Sequence, residues 1–447
     1  MKLVLTVAGS DPCGGAGVPA DLKTFSAYSV YGYSVISSVV AQNTQGVNTS
    51  KAVSPELLKE QLDAVFSDIK PSAVKTGMLA TEESVKIVAS IFKKNRVKNL
   101  VVDPVITSSN RKILLSSQGV EILKTRLLPL ALLVTPNLPE TEVLSGIKIR
   151  TNSDKLRAAK AILKFGVKAV LIKGGHGAKN ADDFLFDGNK GTTFPSQKLI
   201  KGNIHGTGCI LSAAITAGLA QGLSLLSAVE NAKAFIVESI HSLIVPGKGD
   251  PIIEPLNRLY AESEKHKLMQ KALQVVQVLK ENKIGRLIPE VQSNLGLAIN
   301  NAQALNDVIG IPGRIVKNGG DAFTISPPMF GGSRHVADIV LTVMAHNPEK
   351  RAVMNIKYTD ALLNICKKLK YKIASFDRAN EPKKVKALEG SSLEWGTDRA
   401  IRDFGSVPDI IFDLGGYGKE EMIRVIAKDP EELLQKILKI NLLAQKL

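Results

Sequence analysis

The sequence predicts an α/β protein: a mainly parallel sheet flanked by helices, with a second α/β domain behind it. Short apolar runs alternate with helical segments, and glycine-rich turns sit at the ends of those runs. The length of 447 residues is also more than one ordinary core holds. Apolar residues at 44% and charged residues at 22% are globular proportions. The net charge of +16 is spread over both halves, and aromatics make up only 5%. Without a basic tail or stacking platforms, the charge predicts small anionic substrates rather than nucleic acid.

The three cysteines, Cys13, Cys209 and Cys366, are far apart and form no CxxC pair. This argues against a zinc site or a disulfide framework and for a reducing compartment. The opening apolar run LVLTVAG is too short for a signal peptide. Cys209 to Val229 carries no charge, but Gln221, the glycines and the hydroxyl residues break its apolar character. It predicts two buried helices rather than a membrane span. A cytoplasmic location with no membrane partner follows as an expectation.

In chain order, KLVLTVAGS (2–10) predicts a buried strand ending at Gly9, followed by a glycine-rich loop and a helix starting near Pro19. SVISSVVAQNTQGV predicts a strand running into a polar loop at Gln42-Asn43-Thr44. SPELLKEQLDAVFSDI predicts a helix with Ser54 as N-cap and Pro55 in its first position. AVKTGML is a strand and turn. LVVDPVI (100–106) is a strand ending at Asp103. ALLVTPNLPETEVL is a strand breaking at Pro136 into a helix with Asn137 and Glu140. KAVLIKGGHG (168–177) is a strand entering a glycine turn at Lys173. Ligands of such sheets bind beyond the carboxyl ends of the strands, where Asp103, Glu140 and Lys173 fall.

The stretch KGNIHGTGCILSAA (201–214) carries the strongest chemistry. Gly206, Thr207, Gly208 and Cys209 open a helix, so their amides and the helix dipole can hold a phosphate or a transferring phosphoryl group. Cys209 in the first helical turn is expected to have a lowered pKa and to act as a base.

AGSDPCGGAGVPADLKTF, VVAQNTQGV, VKTGML, VVDPV, TPNLPE, IKGGHG and HGTGCILSAA occur in this order over 1–255. Together they resemble the hydroxymethylpyrimidine/phosphomethylpyrimidine kinases of the ribokinase-like superfamily. The resemblance implies ATP- and Mg²⁺-dependent phosphorylation of 4-amino-5-hydroxymethyl-2-methylpyrimidine and then of its monophosphate. It implies Cys209 as base, with the Gly206–Cys209 amides as anion hole. Asp103 and Glu140 would hold magnesium directly or through water, and Asn137 and Lys173 would contact ATP. Gly9, Asp21, Gln42 and Met78 would line the pyrimidine site. Val18-Pro19 stands where Ile-Gln is usual, and Ile204 where a polar residue is common. A pyridoxal kinase shares the general plan.

PGKGDPIIEP (246–255) predicts the end of the kinase domain, and 256–282 a charged helix that is a linker or the start of the next domain. In the second domain, 265–447, Arg314, Ser333 and His335 lie around glycine turns suited to a diphosphate. GRI, GGSRHVAD, SFDR and PDIIFDLGG resemble the archaeal ThiN-type thiamine-phosphate synthases. That resemblance implies condensation of the pyrimidine diphosphate with thiazole phosphate to thiamin monophosphate and diphosphate. Arg314 and His335 would be essential, with Ser333, Asp377, Arg378, Asp413 and Lys419 as further site candidates. A homodimer is the expected assembly. Two alternatives stay open: a kinase fused to a non-catalytic thiamin-phosphate sensor, and a pyridoxal-type kinase with an accessory domain.

Overall fold

The computed structural model describes residues 1–107, 113–174, 182–195, 204–240, 243–382, 385 and 391–446. They separate into two compact units, Met1–Leu259 and Tyr260–Leu447. The Gly175–Gly177 part of the IKGGHG motif and the Lys201–Asn203 part of the HGTGC stretch lie outside the described residues.

The first unit begins with β1 (Leu3–Ser10), α1 (Gly17–Ala27), β2 (Tyr31–Asn43), β3 (Gly46–Ala52), α2 (Pro55–Asp68), β4 (Ala73–Thr76) and α3 (Glu82–Lys94). β5 (Leu100–Val102), α4 (Ser117–Ile122), β6 (Leu133–Val134), α5 (Leu138–Ser145), α6 (Asn152–Leu163) and β7 (Ala169–Ile172) continue the alternation. β8 (Asp183–Phe186), β9 (Gly191–Phe194), α7 (Thr207–Ala220), α8 (Leu225–Ile240), β10 (Leu243–Ile244) and β11 (Ile252–Ile253) complete it. The nine-stranded sheet has the order β3-β2-β1-β4-β5-β6-β7-β8-β9. The run β2-β1-β4-β5-β6-β7 is parallel, and β3, β8 and β9 are antiparallel additions at the edges. β1, β4 and β7 read as unbroken or nearly unbroken buried runs, because helices cover both faces of a parallel sheet.

Two details differ from the sequence expectation. The first helix begins at Gly17, two residues before Pro19, because proline needs no N–H partner in a first turn. Gln42-Asn43 is not loop: these residues end β2, which turns back as β3. The polar strand GVNTSKA reads as loop because an edge strand exposed to water needs no apolar alternation. Ser54 caps α2 as expected, accepting from Leu57 N–H, with Pro55 in the first turn. The uncharged stretch after Cys209 forms α7 and the start of α8. No helix among the described residues is long and apolar enough to cross a membrane.

The second unit opens on α9 (Asn257–Glu281), whose first turn holds the division between the two units. β12 (Leu295–Ala298), β13 (Val308–Gly310), the hairpin β14 (Ile315–Asn318) and β15 (Asp321–Thr324), β16 (Met329–Phe330) and α10 (Arg334–His346) follow. Then come β17 (Ala352–Lys357), α11 (Asp360–Lys368), β18 (Ile373–Ser375), α12 (Ser391–Phe404), β19 (Ile410–Asp413), β20 (Met422–Ala427) and α13 (Pro430–Ala444). Its seven-stranded sheet has the order β16-β13-β12-β17-β20-β19-β18 and is antiparallel except for β18–β19. One hydrophobic cluster running from Leu268 to Ile440 forms its core.

Candidate functional sites

In the first unit, α7 starts where the sequence predicts an anion loop. Gly206 is left-handed, with φ 87°, and a Cβ there would lie 1.7 Å from the Gly15 carbonyl oxygen. Only glycine fits, so the two glycine loops, 11–17 and 205–208, are locked edge to edge. His205 fastens the same joint: its Nε2 lies 3.0 Å from Asp11 Oδ2 and 3.3 Å from the Gln42 amide nitrogen. Asp11 also accepts from the N–H groups of Cys13, Gly15 and Ala16. Burial would raise its pKa, but His205, the Cys13 N–H and Gln42 hold the carboxyl below the usual range. Gly9 and Met78 meet beside this joint; a Cβ on Gly9 would lie 3.5 Å from Met78 Sδ. Gln42, Gly9 and Met78 are therefore brought near the anion loop.

The carboxyl ends of β5 and β7 supply the charges. Lys173 Nζ donates to Asp103 Oδ1 at 2.7 Å, and Ser212 on α7 donates to Asp103 Oδ2 at 3.2 Å. A Cβ on Gly208 would lie 3.1 Å from Lys173 Nζ, which places the ammonium directly over the anion loop. Burial opposes the Lys173 charge, but Asp103 and Glu140 outweigh it and raise its pKa. Asn137 and Glu140 form a capping box on α5: Asn137 Oδ1 accepts from Glu140 N–H and Glu140 Oε2 from Asn137 N–H. Glu140 Oε1 accepts from Ile106 N–H. Burial, reinforced by Asp103, pushes the Glu140 carboxyl up to about 7 against the pull of Lys173.

One expectation is corrected. The Cys209 thiol is not acidified by its place in the first helical turn. Burial pushes it up to about 11, and Asp103 and Asp21 add to the rise, although Lys75 and the Gly17 N–H favour the thiolate. Asp21, expected at the pyrimidine site, has no accessible surface here and is engaged by Lys75. Lys75 Nζ donates to both its oxygens at 2.7 Å, and Thr6 Oγ1 donates at 2.7 Å. Asp21 is a positioning residue for Lys75, whose charge it maintains against complete burial. Lys75, Asp11, His205 and Ser212 were not singled out as site residues from the sequence.

In the second unit, a cavity of about 500 Å³ is lined by Arg314, Ser333, His335, Arg378 and Lys419 among others. Five of the seven expected residues thus converge. Arg314 adopts φ 69° and donates to the Val291 carbonyl. Ser333 and His335 flank the first residue of α10. Asp413 lies beneath the cavity, 1% exposed, paired with Arg378 and Arg424. Asp377 is not brought into the cavity lining: it is exposed, and its carboxylate caps the turn Arg378–Asn380 by accepting from Ala379 N–H. Arg424, Asn294, Asn355 and Gln292 line the cavity and were not anticipated.

A sheet with glycine loops and a partly buried lysine–carboxylate pair at its carboxyl ends, joined in one chain to a second unit with a cation-lined cavity, has the features of a two-domain enzyme acting on anionic small molecules. The phosphomethylpyrimidine kinase family matches residues 11–254, and the thiamine-phosphate synthase ThiN family matches residues 269–439. The bifunctional thiamine biosynthesis protein ThiDN of Methanocaldococcus jannaschii is 34% identical over 97% of this chain and 97% of its own length. The hydroxymethylpyrimidine/phosphomethylpyrimidine kinase of Rhizobium meliloti is 46% identical over 53% of this chain and 90% of its own. Among solved structures, the ADP complex of Bacillus subtilis pyridoxal kinase aligns with a TM-score of 0.53 at 34% identity, covering 58% of this chain and 99% of that one. The chain belongs to the phosphomethylpyrimidine kinase family in its first unit and to the ThiN thiamine-phosphate synthase family in its second. It is a bifunctional enzyme of thiamine biosynthesis.

Proposed function

We propose that the first unit transfers a phosphoryl group from ATP to 4-amino-5-hydroxymethyl-2-methylpyrimidine and then to its monophosphate. The second unit joins the resulting diphosphate to thiazole phosphate, giving thiamin monophosphate and diphosphate. One observation carries the kinase half: the Gly206–Cys209 loop, Lys173 and Asp103 converge within hydrogen-bonding reach at the start of α7. Phosphoryl transfer needs positioning and charge stabilisation above all, and these groups provide both.

The Gly206, Thr207, Gly208 and Cys209 amides hold the transferring group, and the Lys173 ammonium lies beside Gly208. Asn137 Oδ1 is occupied by the cap of α5, so its Nδ2 is the atom that meets ATP. Gln42, Gly9 and Met78 line the pyrimidine end. Cys209 rests as a thiol, and its minor thiolate form takes the substrate hydroxyl proton, returning to the thiol as the new P–O bond forms.

Magnesium fits these residues as an ion shared with substrate. Among the described residues no group of three or more His, Cys, Asp or Glu side chains is arranged to hold a metal. Asp103 and Glu140 supply two carboxylates, and the usual magnesium site needs no more, since waters and phosphate oxygens complete it. When bound, the ion neutralises phosphate charge; Asp103 and Glu140 anchor it.

In the second unit, diphosphate departure leaves a pyrimidine methylene cation and an electron-rich leaving group. Arg314 and His335 stabilise that leaving group, with Ser333 beside them. The enzyme works in the cytoplasm on small molecules, as a homodimer and without nucleic-acid or membrane partners.

Incubation with the pyrimidine alcohol, ATP, magnesium and thiazole phosphate tests the reading by product identification. Thiamin monophosphate supports it. Accumulated pyrimidine diphosphate would make the second unit a sensor. The structural likeness to pyridoxal kinases requires a parallel reaction with pyridoxal; pyridoxal consumed and pyrimidine untouched would overturn the kinase assignment.

A further inference from the structure

The cations around the second unit's cavity fall into two sets. Arg314 follows β13, and Ser333 and His335 follow β16, at one end of the sheet. Arg378 follows β18, Asp413 ends β19 and Arg424 lies within β20, toward the other end. β12 and β17 separate β13 from β20, three strand spacings or about 14 Å.

In the second set, two guanidinium groups share one carboxylate. Arg378 donates through Nε and Nη2 to Asp413 Oδ1 and Oδ2, and Arg424 Nη1 lies 2.8 Å from Oδ2. Both guanidinium groups sit over the Phe376 ring, at 5.5 and 5.3 Å from its centre. Asp413 is 1% exposed and Arg424 is 2% exposed. Arg424 Nη1, though close to Asp413, makes no well-directed hydrogen bond. The buried Glu381 carboxylate faces Lys419 at 3.9 Å. Glu420, also on the cavity wall, turns its oxygens to the N–H groups of Glu290 and Val291. One buried positive charge is therefore left without a counter-charge, an expensive arrangement unless an anion completes it.

We propose that Arg378, Asp413 and Arg424 form a second anion subsite, which takes the monophosphate of the thiazole substrate, while Arg314 and His335 take the diphosphate. The inference rests on the synthase reading of this cavity and deepens it. In the condensation, the thiazole nitrogen forms the new bond to the pyrimidine methylene carbon. The carbon–oxygen bond to diphosphate breaks, and its electron pair leaves on the diphosphate oxygen. Nucleophile and leaving group lie on opposite sides of that carbon, so their anionic ends point apart and need separate cations. Asp413 fixes the Arg378 guanidinium plane and trims the charge of both arginines to suit a monophosphate rather than the more highly charged diphosphate.

The test uses the full chain with Arg378→Gln and Arg424→Met, assaying condensation from supplied pyrimidine diphosphate and thiazole phosphate. KM for thiazole phosphate should rise at least tenfold, with KM for pyrimidine diphosphate within twofold of the parent. The parent's preference for thiazole phosphate over the unphosphorylated thiazole alcohol should collapse in both variants. A KM increase confined to pyrimidine diphosphate, or an undiminished preference for the phosphorylated thiazole, would overturn the subsite. Arg424 is buried, so if Arg424→Met fails to fold, the partly accessible Arg378→Gln decides. Should the parent make no thiamin monophosphate, the synthase reading fails instead. Thermal stabilisation of the parent by inorganic phosphate, lost in Arg378→Gln, then still supports an anion subsite, and stabilisation equal in both removes it.

Discussion

Cys209 shows how far local position can mislead. A thiol in the first turn of a helix is normally acidified, yet burial beside Asp103 and Asp21 pushes this one up to about 11. If the thiolate is the kinetically competent base, kinase kcat should climb about tenfold per pH unit between pH 7 and 9. Cys209→Ala should leave nucleotide binding nearly intact, flatten that rise and lower turnover by ~10²-fold or more. A parent profile already level at pH 7 would remove the thiolate from the mechanism. Asp21 and Lys75 invite a different experiment. Lys75→Met strands a buried carboxylate and should cost about 3–5 kcal/mol in chemical denaturation. Adding Asp21→Asn should recover much of that loss; strict additivity would show that the two side chains act independently.

Two of the residues that were missed share a signal. Lys75 is a lone cation in the strand AVKT, and Arg424 a lone cation in MIRVIA. A charge inside a short apolar strand of a covered sheet must be buried, and a buried cation needs an anion. The sequence displays that mark, but it cannot show which distant carboxylate answers it. Asp21 and Asp413 answer from other elements, and sequence spacing says nothing about either pairing.

At the scale of elements, the start of α7 depends on one backbone fit. Gly206→Ala combines a left-handed φ with a Cβ 1.7 Å from the Gly15 oxygen, so the loops 11–17 and 205–208 must part. The substitution should abolish kinase turnover and lower the unfolding midpoint of the first unit, measured by thermal denaturation. Unchanged melting would mean that the two loops are not locked together. The parallel alternation, the α2 cap and the glycine-led start of α7 were legible because each has a local cause: apolar runs, a capping serine, glycine ahead of a helix. The edge strand β3 and the mainly antiparallel second sheet were not, since polar edge strands and strand order depend on neighbours far along the chain.

At the scale of the molecule, each unit has its own hydrophobic clusters: one spanning Leu268 to Ile440, and three within the first unit. Two such cores should fail independently. Arg314→Ala or His335→Ala should abolish condensation of supplied pyrimidine diphosphate and thiazole phosphate, while ATP-dependent formation of the diphosphate continues near the parent rate. A fragment starting at Asn257, which keeps α9 whole, should fold and condense the two substrates unaided. Loss of kinase turnover in Arg314→Ala, with condensation spared, would reverse the assignment.

Carrying both units on one polypeptide also fixes their dosage. Each ribosome that finishes the chain delivers one kinase and one synthase, so expression level cannot alter their ratio. Balance between making the pyrimidine diphosphate and consuming it then rests on rate constants alone. A substitution that slows only the second unit would raise the standing level of this intermediate, and no increase in the amount of protein would restore the parent's proportion.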